Sequence, residues 1–266
     1  MEIAVQYSRK YTVRFYYRRI KESMENCKYT ETFTVDFADC DKKYDLKPAT
    51  LMAWAFELAG SHLASRNITR EQMWEDGQVF LLTKVCISYD RVPTYHDKVK
   101  FTTWEGGTKG SQFIRRYSVT DENGNSFCDS ESMWVLVNPH THKLYRPSEY
   151  IYGQLNLDEE TEAKIEKFKI EGEQFIKQYT FVYSDIDPNG HVNNGTYLRL
   201  LSDVLPEDLR EKHYKKLNIN FARECMEGDT ISLYMKKEGD TVYFCGRLAE
   251  GKNNIEIIAD FAVGDR

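Results

Sequence analysis

The chain of 266 residues has no run of about 18 apolar residues and a mean hydropathy of −0.62, so a membrane-spanning helix is not expected. It also lacks cysteine pairs. Cys27, Cys40, Cys86, Cys128, Cys225 and Cys245 stand 13 or more residues apart, which fits neither a Cys-x-x-Cys zinc framework nor a disulfide-dense scaffold. A reducing compartment, the cytoplasm, is the expected location. Positive charge is short: Lys and Arg number 36 against 42 Asp and Glu, a net charge of −6. No global attraction to nucleic acid or to an anionic membrane follows from that balance. With Pro 6 and Gly 15, low-complexity and collagen-like architectures are excluded as well. The first residues carry Arg9, Lys10, Arg14, Arg18, Arg19 and Lys21 among tyrosines and lack the apolar core of a secretory signal. Met24 opens MENCKYTETFTVDF, and a start there is an expectation alternative to Met1; the intact mass of the native product decides between them.

What is present is an ordinary globular composition, 41% hydrophobic and 14% aromatic, enough for two modest domains or one large one. Tyr29 to Phe37 alternates like a strand, and Ala49 to Ala64 reads as a long apolar helix with Pro48 near its start. From Val79 to Val137 strand-like runs are punctuated by turn residues, as in an antiparallel meander. Leu157 to Lys177 is charged and reads as part of a linker, 151–177, with one exposed helix. After it the order strand, helix, four strands returns. Asp39, Asp41 and Thr50 stand 146 positions before Asp185, Asp187 and Thr196, and Arg91 and Asp97 stand 132 positions before Arg223 and Asp229. The chain is thus read as a duplicated β-helix-β4 unit of α+β class, with 14 more residues after the first helix than after the second. Two antiparallel sheets, each wrapping its helix, are expected to join edge to edge.

The segment richest in chemistry is Asp185-Ile-Asp-Pro-Asn-Gly-His-Val-Asn-Asn-Gly-Thr-Tyr197, at the passage from strand to second helix. Asp187, Asn189 and His191 alternate through a turn containing Pro188 and Gly190, and the helix start presents backbone N–H donors suited to an oxyanion. The same residues make a good turn, and Asn193 or Asn194 a good N-cap, with no chemistry at all. The repeat shifts the balance toward function. Lys43 and Asp45 replace Asn189 and His191 in the first unit, and Val92 replaces Glu224, so neither the turn nor the strand requires the second unit's residues.

These residues resemble the Asp-x-x-x-Gly-His-Val-Asn-Asn signature of hot-dog thioesterases. Together with Tyr89-Asp-Arg-Val-Pro-Thr94, Thr103-Trp104, Met133-Trp-Val135 and Arg223-Glu-Cys225, the chain resembles the acyl-acyl carrier protein (acyl-ACP) thioesterases of plants and bacteria from about Tyr29 to Val263. The resemblance implies a tandem (double) hot-dog fold: an extension, 1–28; an acyl-binding domain, 29–150; the linker; and a catalytic domain, 178–266. It also implies hydrolysis of fatty acyl-ACP to free fatty acid by Asp187, Asn189, His191 and Glu224, without cofactor or metal. Glu224 is favoured as water activator, in a partly desolvated site beside Asp187. Leu51, Trp54, Ala55 and Leu58 are candidate walls of an acyl tunnel in the first unit. The acidic carrier protein is expected to dock on basic residues, for which Lys109, Arg115, Arg116, Arg210, Lys212, Lys215 and Lys216 are candidates.

The rival readings are an acyl-CoA thioesterase with the same site, a hot-dog hydratase and a non-catalytic acyl-binding protein. A Cys225-His191-Asn189 nucleophilic set is disfavoured, because Glu224 and Cys225 on an extended strand face opposite ways. His140 and His142 lack a third metal ligand. A monomer is viable because one chain carries both units, and a homodimer is the alternative.

Overall fold

The computed structural model describes residues 27–262. The proposed N-terminal extension, except Cys27 and Lys28, and the alternative start at Met24 lie outside them. The first unit comprises β1 (Lys28–Thr34), α1 (Pro48–Ala64), α2 (Arg70–Glu75), β2 (Val79–Tyr89), β3 (Lys98–Lys109), β4 (Gln112–Thr120) and β5 (Ser126–Val137). The second comprises β6 (Gln174–Thr180), α3 (Asn194–Val204), the single turn α4 (Glu207–Arg210), β7 (Tyr214–Phe221), β8 (Thr230–Glu238), β9 (Thr241–Arg247) and β10 (Asn253–Phe261). All pair into one antiparallel sheet in the order β1-β3-β4-β5-β2-β7-β10-β9-β8-β6.

The seam is β2 against β7, with Val85 opposite Ile219 and Ile87 opposite Leu217. All four are buried, and each such side chain contributes about 1.5–3 kcal/mol. The expected edge-to-edge junction is therefore also part of the core, which runs unbroken across both units. Pro48 presets the first turn of α1, whose Leu51, Met52, Ala55, Leu58 and His62 are buried against the sheet. The two helices meet at their starts, where a Cβ on Gly195 would sit 3.5 Å from the Ala49 Cβ.

Backbone hydrogen bonds obey both repeat offsets. Leu46 N donates to Pro93 O as Val192 N does to Cys225 O, each at 2.8 Å; Val35 N donates to Asp97 O as Phe181 N does to Asp229 O, each at 2.9 Å. The turn conformation repeats too: Gly190 has φ +82° and its counterpart Tyr44 φ +66°, a region that disfavours tyrosine. Tyr44 holds it within a group of rings formed with Phe37 and Tyr95.

The expected linker forms no helix: its last four residues, 174–177, already belong to β6, and the stretch before them is a strap across one face of the sheet. Leu157 N donates to Glu105 O, and Glu159 O accepts from Trp104 Nε1 (3.0 Å) and Arg116 Nη1 (3.2 Å). Further along, Glu162 N donates to Asp129 Oδ2 (3.2 Å), and Lys216 Nζ pairs with Glu166 Oε1 (2.8 Å). Its backbone groups find partners on β3, β4 and β5, so the charge spacing that imitates a solvated helix serves an extended chain instead.

Candidate active site

The turn that carries the candidate residues is built by its own carboxylates. Asp187 Oδ1 accepts from the backbone N–H groups of Asn189 (2.7 Å) and His191 (3.4 Å). Asp41 does the same in the first unit, accepting from Lys43 (2.8 Å) and Asp45 (3.1 Å). An aspartate here is thus a turn former in both units. The second oxygen of each faces the side chain two residues on: Asp187 Oδ2 accepts from Asn189 Nδ2 at 3.2 Å, where Asp41 Oδ2 has Lys43 Nζ at 3.8 Å. Asp185 anchors the approach: it is 4% exposed and accepts from Val182 N (3.0 Å), Tyr179 Oη (2.8 Å) and Arg199 Nη2 (2.8 Å), tying β6 to α3.

His191 faces Glu224, with Nε2 3.5 Å from Oε2. The turn and the Glu224 segment are joined by the Val192 N to Cys225 O hydrogen bond. At the His191 position of the first unit stands Asp45, buried beside His213 Nδ1 (2.7 Å) and Lys43 Nζ (3.4 Å), so the two turns share a backbone and differ in side-chain surroundings.

Two features differ from the sequence reading. The Glu224 side chain is 45% exposed, so the desolvation expected of it is absent, and its neighbour is His191 rather than Asp187. Glu224 and Cys225 also lie beyond the end of β7 at Phe221, not on a strand. Their side chains diverge all the same. The Cys225 thiol is 1% exposed, receives Asn254 Nδ2 at 3.2 Å, and is pushed up from its ordinary value chiefly by burial, which opposes the thiolate a nucleophile needs. The N-cap of α3 is Asn193, which takes the N–H of Gly195 through its side chain (2.8 Å) and that of Thr196 through its carbonyl (2.9 Å). Those two donors are therefore committed rather than open to an oxyanion.

A narrow apolar gap opens between α1 and the first sheet, lined by Leu51, Met52, Ala55, Phe101 and Tyr117. Of the four candidate tunnel residues, Leu51 and Ala55 line it. Trp54 instead stacks on Phe33 (ring centroids 4.8 Å apart), and Leu58 is sealed in the core. Helical spacing selects a face of α1 but not the part of it that meets empty space. Met52, missed in the sequence, stands three residues before Ala55 and shares its face of the helix.

The basic candidates divide. Arg115 and Arg116 are buried and are corrected from docking residues to internal ion pairs: Arg116 Nε donates to Glu131 Oε2 (2.9 Å), and Arg115 reaches His62 Nδ1 (3.0 Å) and Glu105 (3.5 Å). Being consecutive on β4 they point to opposite faces, and the adjacent strands β3 and β5 supply a carboxylate on each, Glu105 and Glu131. Arg210 closes the end of α3 by donating to Leu205 O (2.8 Å), while Lys212 pairs with Asp240 (2.6 Å) and Lys216 with Glu166. Lys109 and Lys215 are exposed. Among the described residues, no cluster of three or more His, Cys, Asp or Glu is placed to hold a metal ion, and no helix is long and apolar enough to cross a membrane.

Helix-wrapping sheets fused along one edge, with a polar turn leading into the second helix, define a double hot-dog protein. The acyl-ACP thioesterase N-terminal domain matches residues 26–154 and the acyl-ACP thioesterase C-terminal domain residues 168–262; the chain belongs to the acyl-ACP thioesterase family. It is 24% identical over 214 residues to the chloroplastic palmitoyl-acyl carrier protein thioesterase of Gossypium hirsutum, covering 74% of this chain and 52% of that one. The chain spans about half the length of the curated relatives it matches. The crystal structure of an acyl-ACP thioesterase from Bacteroides thetaiotaomicron shares the fold at a TM-score of 0.82 and 22% identity, covering 90% of this chain and 99% of that chain. The 12:0-ACP thioesterase of Umbellularia californica does so at 0.75 and 20%, covering 89% and 97%.

Proposed function

We propose that this protein hydrolyses the thioester of fatty acyl-ACP, releasing free fatty acid and ending chain elongation. The observation that carries the reading is the pairing of His191, on the turn that enters α3, with the exposed Glu224, where the start of α3 packs against α1 beside the narrow apolar gap. The acyl chain lies in the first unit and its thioester at the second unit's turn. Glu224, oriented by His191, takes a proton from water as the water oxygen attacks the carbonyl carbon. The tetrahedral intermediate then expels the thiol, which leaves with a proton returned from the same pair. Asp187, whose oxygens are occupied by N–H donors, shapes the turn and orients Asn189, and it suits the role of base or nucleophile less well. Family membership and the activities for which the relatives are named support this reading. Thiol release from acyl-ACPs of graded chain length tests it, and absence of turnover on every member would overturn it.

Cavity geometry predicts a chain-length effect. Ala55→Leu fills space lining the cavity, and each methylene of substrate displaced from an apolar site loses about 0.8 kcal/mol, roughly fourfold in kcat/KM. The preferred acyl chain should shorten, as read from kcat/KM across the same panel. An unchanged profile would place the acyl chain elsewhere.

A second reading, an acyl-CoA thioesterase, gains from the burial of Arg115 and Arg116, which removes two of the expected carrier-protein contacts. Reversing charge at exposed Lys109 and Lys215 separates the two. KM for acyl-ACP should rise about three- to tenfold while KM for acyl-CoA stays level, as expected where electrostatics steers the encounter of charged proteins. An unchanged acyl-ACP KM would remove the docking assignment. The same reading places the enzyme in the cytoplasm as a monomer or homodimer; sedimentation measures the second point.

A further inference from the structure

The connection after α1 holds an element the second unit does not match. Where the second unit has only the turn α4, the first has α2, capped by Thr69 Oγ accepting from Gln72 N at 3.2 Å. α2 is held firmly, with Ile68 and Met73 buried among Phe113, Leu136 and Tyr150 in a second apolar cluster. Its first residue, Arg70, lies outside that cluster and reaches across to the second unit, where an Nη2 hydrogen is donated to Asn189 Oδ1. The other end of the same carboxamide donates from Nδ2 to Asp187 Oδ2 at 3.2 Å.

Arginine is a donor only and an ionised carboxylate an acceptor only, so these two partners admit a single orientation of the Asn189 amide. The remaining Nδ2 hydrogen is then aimed in one direction, available to the reacting carbonyl or water. The turn does not need this arrangement: the first unit builds the same backbone with Lys43 in place of Asn189. Asn189 is exposed, so without a second partner its amide would exchange orientations with solvent.

We infer that Arg70 is a positioning residue of the hydrolytic site, supplied by the first unit to fix the Asn189 carboxamide of the second. This rests on the thioesterase reading above. Arg70 does not touch reacting atoms; its effect passes through Asn189.

The test is kinetics of the full chain on one acyl-ACP for the parent, Arg70→Ala, Arg70→Lys, Asn189→Ala and the Arg70→Ala/Asn189→Ala double variant. Arg70→Ala should lower kcat about tenfold with KM within about twofold, as expected when a group is misplaced rather than removed. Lysine should restore part of the loss, and the double variant should be no slower than Asn189→Ala, because one residue acts only through the other. Multiplying losses, a raised KM with unchanged kcat, or full activity of Arg70→Ala would overturn the inference. A second readout is independent of substrate: the Asn189 side-chain amide resonance, identified by its loss in Asn189→Ala, should move in Arg70→Ala. If that resonance does not move, the positioning role fails whatever the turnover. If it moves in a protein whose parent turns over no acyl-ACP, the contact stands and the hydrolase reading falls.

Discussion

Glu224→Ala is expected to lower kcat on acyl-ACP by about 10²–10⁴-fold, the usual contribution of a general base, with little change in thermal midpoint. The stability expectation follows from place: the side chain is 45% exposed and faces His191 across 3.5 Å. His191→Ala should cost a similar factor, and the double variant little more, since the two act as a unit. Asp187→Asn keeps an oxygen to receive the turn's N–H groups and should cost no more than about tenfold, while Cys225→Ala should retain turnover because its thiol is buried and protonated. Stopped-time assays of thiol release on the four single variants and the double one, each checked for folding by circular dichroism, measure this. Loss with Asp187→Asn equal to that with Glu224→Ala would transfer the base to Asp187. Equal loss with a folded Cys225→Ala would instead restore the thiol nucleophile.

Arg116→Ala should be the most destabilising of the single substitutions considered, by about 3–5 kcal/mol, because it leaves Glu131 charged and buried without its partner. For a chain of this size that corresponds to a fall of roughly 6–20 °C in Tm. The damage should appear first in the strap, since Arg116 Nη1 also holds Glu159 O and Glu131 Oε1 receives Ile165 N (3.5 Å). Limited proteolysis should therefore cut between 157 and 166 before the unit unfolds. The paired change Arg116→Met with Glu131→Leu should recover most of the loss, as apolar replacement of a buried ion pair commonly does. If Arg116→Ala left stability intact and raised only KM for acyl-ACP, Arg116 would return to the carrier-protein surface.

Much of the fold was legible because it depends on short-range pattern. Alternation marked the strands, Pro48 and the Asn193-Asn194 pair marked helix starts, with the structure choosing Asn193 as the cap, and two offsets located a duplication that the backbone hydrogen bonds then obeyed pair by pair. The same comparison separated turn-forming Asp187 from His191 and Glu224, since Asp41 repeats the first and the other unit lacks the rest. Chemistry that departs from a repeat is visible without coordinates.

Partners contributed by other strands were not legible. Arg115 and Arg116 look like surface cations until Glu105 and Glu131 are set beside them, and the charged segment 157–177 looks like a solvated helix until β3, β4 and β5 offer its backbone hydrogen bonds. Whether a face of α1 meets packing or a cavity depends on the sheet opposite, which is why Trp54 and Leu58 were misplaced and Met52 overlooked. The link from Arg70 to Asn189 joins residues 119 apart in sequence and belongs to no motif. The sequence by itself determined element order, the duplication and the polar turn, because these are set by neighbours along the chain. Tertiary structure alone decided which charges are buried, where the cavity opens and what holds the Asn189 amide, because each is settled by atoms that only the closed sheet brings together.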